Sequence, residues 1–443
     1  MKDLDVVVSK PTGHYSGVVQ YDYGKTVSGS VFEQTGSLNK PPSVLLTAIA
    51  DLESNHLLGN TQIPQFLTKI LDDYPDLEHG GSQAASVYLA ANKSAAAETV
   101  FQRALRTAET VRGPNDTSAL ETTFNLGVLY RTQGRLPEAE KMLTRALHGF
   151  EKTLAPDHLS ALRTAHALAL VYKDQSKLAQ AETLGRRAVT GLSSALGESD
   201  IQTAYAMRDL GLIYRDEGKT ADAARLCHAA FTTLQSALGD GHPETLIALR
   251  DLGSVRGYSG NPMRAEEMCR RALEGFERSP LGADHVATLL TVDYLGVALH
   301  SQGKAEAETM LGRALAGFET RLGADHVFTL NTVIHLGEWY SSRQDLDAAA
   351  RMYRRAATGF ERTMGPRHVC TLRTMNKLAF VYAQCGRPQE AETIYRKVLA
   401  GFEGTLGRHN AETQLVATRL RVLELDPESS SAQVTSEIST GTA

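Results

Sequence analysis

The chain has 443 residues, 22% of them charged, a net charge of −5 and a pI near 6.3. A nucleic-acid footprint needs a concentrated basic face, and this balance offers none. No run approaches the roughly 18 apolar residues of a membrane span, and MKDLDVVVSK lacks the apolar core of a signal peptide, so a soluble, cytoplasmic protein is expected. Four cysteines (Cys227, Cys269, Cys370, Cys385) are too few for a disulfide framework and lack metal-ligand spacing. No metal and no cofactor is expected.

Residues 1–42 read as an N-terminal arm, extended or in short strands: the valine-rich runs 4–8 and 17–23 are broken by Pro11, Gly13 and Gly17. Two strands alone make no stable sheet. Gly24-Lys25-Thr26 matches the end of a phosphate loop, but the glycine such a loop needs five residues earlier is Val19, and no good helix follows. Residues 43–80 read as a helical pair. Ser43 caps the first helix and Gly59 stops it. The second carries the apolar stripe Ile63, Phe66, Leu67, Ile70 and Leu71 and ends at Pro75.

From residue 81 a period takes over. Gly-x-x-His-x-x-Thr-Leu, or a worn version of it, recurs at Gly113, Ala155, Gly197, Gly239, Gly282, Gly323, Gly365 and Gly407. The steps are 42 residues, with one of 43 and one of 41. Such regularity means a solenoid, in which each unit buries its apolar face only against its neighbours. A degenerate unit spans 81–112, seven units span 113–406, and a capping helix spans 411–425. Within a unit the first helix shows L-G/A-x-x-Y, as in Leu336, Gly337 and Tyr340, with Leu and Tyr on one face. The second carries Ala-Glu and ends in Gly-Phe-Glu, as in Gly359-Phe360-Glu361. The loop residues Asp157, His158, His242, Asp284, His285, Asp325, His326 and His368 recur once per unit. They are therefore too far apart to share one ion, and are read as helix-capping groups. The tail, 426–443, has few large apolar residues and is expected to be disordered.

These motifs resemble the tetratricopeptide repeat in its 42-residue, kinesin-light-chain-like form, over roughly residues 81–425. The resemblance implies an all-α fold: antiparallel helix pairs stacked in a right-handed superhelical solenoid, with the first helix of each pair lining a concave groove. The small irregular arm lies outside it. It implies a protein- or peptide-binding scaffold, and related arrays are often the sensor end of nucleotide-switch proteins.

In an array, slots that hold the fold look alike, and slots that vary are free or used. The family's two groove-facing slots before the first-helix leucine hold His166, Arg208, Arg250, Asp293 and Asn376 in one row, and Asp209, Asp251, Tyr294, His335 and Lys377 in the other. Arg163 and Arg373 sit one turn earlier, and Glu338 lies further along. An arginine ladder suits carboxylates through bidentate bonds, so a protein or peptide with an acidic segment is the expected partner. The alternative pairs Arg208 with Asp251 and Arg250 with Asp209, simply to neutralise a polar wall. Arg256 replaces the repeat tyrosine, and Leu299 does so one unit later. Pro280 adds a residue there and the turn at Gly303 loses one, so the superhelix either decays harmlessly or bends here.

Two other functions compete. The groove could be the cavity of an enzyme or small-molecule binder, with His166, Asp209, Asp251, Asp293, Tyr294 and His335 for acid–base work and the arm, with Tyr15, Tyr21, Tyr23 and Phe32, as its lid. Or the chain is the sensor fragment of a nucleotide-switch regulator.

Overall fold

The computed structural model describes residues 20–26, 29–35 and 94–425. The helical pair placed at 43–80 and the disordered tail at 426–443 lie outside these. In the arm, Gln20–Thr26 (β1) and Gly29–Thr35 (β2) pair antiparallel, Gln20 opposite Thr35 and Thr26 opposite Gly29. All else described is helix and short turn.

The chain divides into two compact units, residues 1–175 and 176–443. The first contains α1 (Ser94–Arg112), α2 (Thr117–Thr132), α3 (Leu136–Thr153) and α4 (Leu159–Asp174). The second contains α5 (Leu178–Leu196), α6 (Ile201–Asp216), α7 (Thr220–Leu238), α8 (Pro243–Tyr258), α9 (Pro262–Arg278), α10 (Val286–His300), α11 (Glu306–Leu322), α12 (Val327–Ser342), α13 (Leu346–Met364), α14 (Val369–Gln384), α15 (Pro388–Thr405) and α16 (Ala411–Leu425). Even-numbered helices from α2 to α14 are the first helices of repeats, and each packs on its sequence neighbours within its unit.

Every element of the recurring motif has a mechanical task. The glycine ends the second helix in the left-handed region, as at Gly365 with φ 91°. Ala155 must do the same without glycine's freedom, at φ 111°. The histidine is an N-cap. Nδ1 of His158, His242, His285, His326 and His368 each accepts the backbone N–H two residues on, at 3.2 Å. Asp116 and Asp200 cap α2 and α6 in the same way. The threonine closes the loop: Thr288, Thr329 and Thr371 donate to the carbonyls of Gly282, Gly323 and Gly365 at 2.7, 2.8 and 2.9 Å. The leucine buries against the glycine of Gly-Phe-Glu.

Two close approaches then set the helix pair. In the sixth repeat a Cβ on Gly337 would stand 2.7 Å from the Tyr353 ring, and one on Gly359 would fall 2.5 Å from Leu330. At both positions of this repeat a Cβ would have to displace the facing side chain. Around them Phe150, Phe276, Phe318, Phe360 and Phe402 are fully buried, each in its own repeat. The irregular fifth repeat keeps its core: Leu299, in the tyrosine slot, is fully buried. Its shortened turn is bridged by Arg343, which donates to the Gly303 carbonyl at 2.8 Å.

Candidate functional site

The first helices of the second unit touch one another, α6 with α8, α8 with α10 and α10 with α12. Their shared face is polar and charged. Asp209, Arg250, Asp251 and Asp293 are all buried there. A buried charge is tolerated only when paired and hydrogen-bonded, and the pairing is visible. Arg208 Nε lies 3.0 Å from Asp209 Oδ1 and 3.7 Å from Asp251 Oδ2, and its Nη1 reaches Glu244 at 3.2 Å. Burial works against the Arg208 charge. Asp209, Asp251 and Glu244 override it and hold the guanidinium well above the usual arginine range. Arg250, 8% exposed, binds Asp251 Oδ1 through Nε at 2.9 Å and Nη2 at 2.7 Å. It stacks 5.7 Å over the Tyr294 ring, and Arg208 stacks 5.4 Å over Tyr205.

Arg215 belongs to the same row, and the sequence reading missed it. It donates to Asp216 through Nε at 2.8 Å and Nη2 at 2.7 Å, and to Ser254 Oγ at 2.8 Å. Its guanidinium lies 5.2 Å over the Tyr258 ring. Tyr258, at the end of α8, is 66% exposed. The signal was present: Arg215 directly follows the tyrosine of L-G-x-x-Y, about two turns beyond Arg208.

Further along, His335 Nδ1 meets Asp293 at 3.0 Å. Burial disfavours the imidazolium, but Asp293, helped by Glu338, raises the His335 pKa to about 9. Lys377 Nζ donates to Glu338 at 2.8 Å. Burial raises the Glu338 pKa, and Lys377 and His335 together bring it below the normal range. The sequence reading also missed His300, which meets Trp339 edge-on at 5.7 Å, and Arg343, which caps that indole at 4.4 Å. Arg373 forms two bonds with Glu412, at 2.8 and 2.6 Å, and Asn376 accepts from Arg419 at 3.1 Å.

Charges on distant repeats feel one another. Glu412 is the main stabiliser of the Arg373 charge, and Asp216, four repeats earlier, adds to it.

Arg163 and His166 are on α4, in the first unit, where Arg163 stacks 5.8 Å from Phe124. Arg256 occupies the slot of Tyr130, Tyr340 and Tyr382. Those tyrosines bond Gln102, Glu308 and Arg354 on the preceding second helices, so this slot faces away from the charged row. The Arg256 Nε is buried without a hydrogen-bond partner among the described residues. Among the acid–base candidates, Asp293 and His335 meet directly. Asp209 and Asp251 are engaged by arginines, and an imidazole held charged at neutral pH is a poor general base. Burial pushes the Cys227 and Cys269 thiols up to about 12, which leaves them unreactive. Among the described residues no group of three His, Cys, Asp or Glu could hold a metal, and no helix is long and apolar enough to cross a membrane.

The helix pairs and their inner charged face define a helical-repeat scaffold. A family model, tetratricopeptide repeat, matches residues 81–152, 133–194, 200–278, 285–362 and 343–404, and the chain belongs to that family. A nucleotide-binding leucine-rich repeat (NLR)-like protein of Hyaloscypha variabilis is 40% identical over 74 residues, which are 17% of this chain and 7% of that protein. Among solved structures, the quorum sensor NprR from B. thuringiensis, in its apo form, is 14% identical over 81% of this chain and 96% of its own, with a TM-score of 0.55. The Rap conjugation gene regulator of the plasmid pLS20, in complex with the Phr* peptide, is 16% identical over 65% of this chain and 74% of its own, with a TM-score of 0.51. A Podosopora anserina putative kinesin light chain with nearly identical TPR-like repeats is 21% identical over 48% of this chain and 99% of its own, with a TM-score of 0.39.

Proposed function

We propose that this chain binds a protein or peptide segment on the inner face of its second unit, and prefers segments that carry carboxylates. The observation behind this reading is the row Arg208, Arg215 and Arg250. Each guanidinium is pinned by an aspartate and stacked on a tyrosine, and Tyr258 stands open beside it. A pinned guanidinium has lost its rotamer freedom beforehand, which is the condition for inexpensive recognition of a carboxylate. The solved Rap relative bound to a peptide supports a peptide as the ligand class.

The test is peptide display against the immobilised protein, followed by affinity measurements on the selected sequences. Acidic peptides should be enriched. Tyr258→Ala, at an exposed position, should weaken them by about tenfold, the scale of losing an aromatic contact anchor. Selection of peptides without carboxylates, or affinities that ignore Tyr258→Ala, refutes the reading.

A second reading rests on the NLR-like relative: the array acts as the sensor of a nucleotide-switch regulator. Deleting residues 1–93 should then abolish association with a nucleotide-binding partner while sparing peptide binding. Loss of both together would count against it. A lid over the groove was expected of the arm. Tyr21, Tyr23 and Phe32 lie in the β1–β2 hairpin, while Tyr15 lies outside the described residues.

A further inference from the structure

A cavity of about 420 Å³ opens between α5, α6 and α7, on the side where repeat tyrosines meet the preceding second helix. Leu210 from α6, Val189 from α5 and Leu226 from α7 supply its apolar lining, among charged residues. Tyr214 sits among them. In other repeats the equivalent tyrosine is tied down. Tyr382 accepts from Arg354 Nε at 3.1 Å, and Tyr130 accepts from Gln102 at 3.2 Å. Both partners lie 28 residues before their tyrosine. For Tyr214 that residue is Arg186. It turns instead toward Glu182, at 3.9 Å, and stays 67% exposed. Among the described residues the Tyr214 hydroxyl is left without a hydrogen-bond partner, and the cavity is the room that the arginine does not fill.

Among the described residues the rim has one spare cation. Lys219 is satisfied by Glu182 at 2.8 Å and Glu217 at 2.9 Å, and Arg225 by Asp222 at 3.0 Å. Arg186 has only the distant Glu182, already engaged by Lys219. We propose that this cavity is a second ligand site, distinct from the inner face, for a small organic carboxylate with an apolar body. The body lies on Leu210, Val189 and Leu226. The carboxylate takes the Tyr214 hydroxyl and the Arg186 guanidinium, replacing the missing Arg–Tyr bond. The volume falls in the range of small-molecule sites.

Octanoate is a suitable probe, with octylamine as the charge-reversed control, read by saturation-transfer NMR on the full chain. Octanoate should bind at millimolar concentration and octylamine should not. Arg186→Gln should weaken octanoate about tenfold, the scale of one charge-assisted hydrogen bond. Thr190→Trp changes an exposed position at the rim, so it preserves the fold, and it should block the site. Tyr258→Ala should leave octanoate binding unchanged, which separates this site from the inner face. Absence of octanoate binding overturns the proposal. So does equal binding of octylamine, or binding indifferent to both Arg186→Gln and Thr190→Trp.

Discussion

Replacing Asp293 by asparagine isolates the pair at the centre of the second unit. In the native protein Asp293, with Glu338 behind it, holds the His335 imidazolium against the cost of burial and lifts its pKa from 6.5 to about 9. Lys377 and His300 are the other titratable groups around this pair. Linkage converts that rise to ~3 kcal/mol of differential stabilisation, and the 24% exposure of the His335 side chain trims it to about 2. The folded pKa lies above the unfolded one. This stability is therefore complete below pH ~6.5 and is lost as pH rises through about 9. The asparagine would keep the hydrogen-bond acceptor and remove the charge, and burial would then push the imidazole below its ordinary value. Repeat arrays need not unfold in one step, so the primary assay is a titration of histidine ring signals by NMR. Urea midpoints across the same pH range give the energetic counterpart. The native His335 should titrate near 9, and the midpoint should fall between neutral and alkaline pH. In Asp293→Asn both features should vanish. A native His335 that titrates at or below 6.5, or an alkaline slope that survives the substitution, refutes the reasoning.

Two glycines on α11 make a matched control. A Cβ at Gly312 meets nothing within 4 Å, so Gly312→Ala should stabilise by up to ~1 kcal/mol. A Cβ at Gly317 would fall inside the Leu289 side chain, so Gly317→Ala should cost ~1–3 kcal/mol, and urea midpoints distinguish the two. Ala155→Gly, at φ 111°, should raise stability by ~1 kcal/mol in the same assay. The histidine caps work only while Nδ1 is unprotonated. Burial lowers the pKa of His285, His326 and His368, so their contribution is complete above pH ~6.5 and is lost as pH falls through the folded values. Melting temperature should drop between pH 7 and 5, and His326→Asn, a cap without that titration, should recover ~1 kcal/mol of the loss.

The repeat was legible because each unit must solve the same packing problem. Gly365, His368, Thr371 and Leu372 appear at fixed spacing because a left-handed turn, a cap, a loop bond and a close helix approach each admit few residue types. The charged face was legible only as a list of positions. The alternative considered from sequence paired Arg208 with Asp251 and Arg250 with Asp209 across helices. In the structure the Arg208–Asp251 ion pair forms, at 3.7 Å, but Arg208 is held more closely by its own neighbour Asp209 and by Glu244, and Arg250 bonds its own neighbour Asp251. Periodicity locates a side chain on a face, but partner choice depends on which rotamer the side chain adopts. Arg256 was misplaced for a related reason: departure from pattern was read as groove function, whereas its slot faces the second helices. Arg215 lies about two turns along α6 from Arg208, outside the slots that the resemblance marks as groove-facing.

On the proposed reading, the pairing decides how this face would recognise a ligand. A bare row of arginines would act through its field, with strong attraction for any anion and steep loss in salt. Here Asp209, Asp216, Asp251 and Asp293 sit against Arg208, Arg215, Arg250 and His335, so the field is largely cancelled in place. What survives is direction. Each guanidinium lies against a tyrosine ring and is fixed along one edge by a carboxylate, so any N–H it still offers points one way. A ligand gains little from charge alone and much from placing acceptors at the spacing of those edges. Affinity then depends on register between peptide and repeat, and an acidic peptide with scrambled spacing should be rejected even though its charge is unchanged. On the proposed reading, neutralised arginines would trade affinity for discrimination among acidic segments.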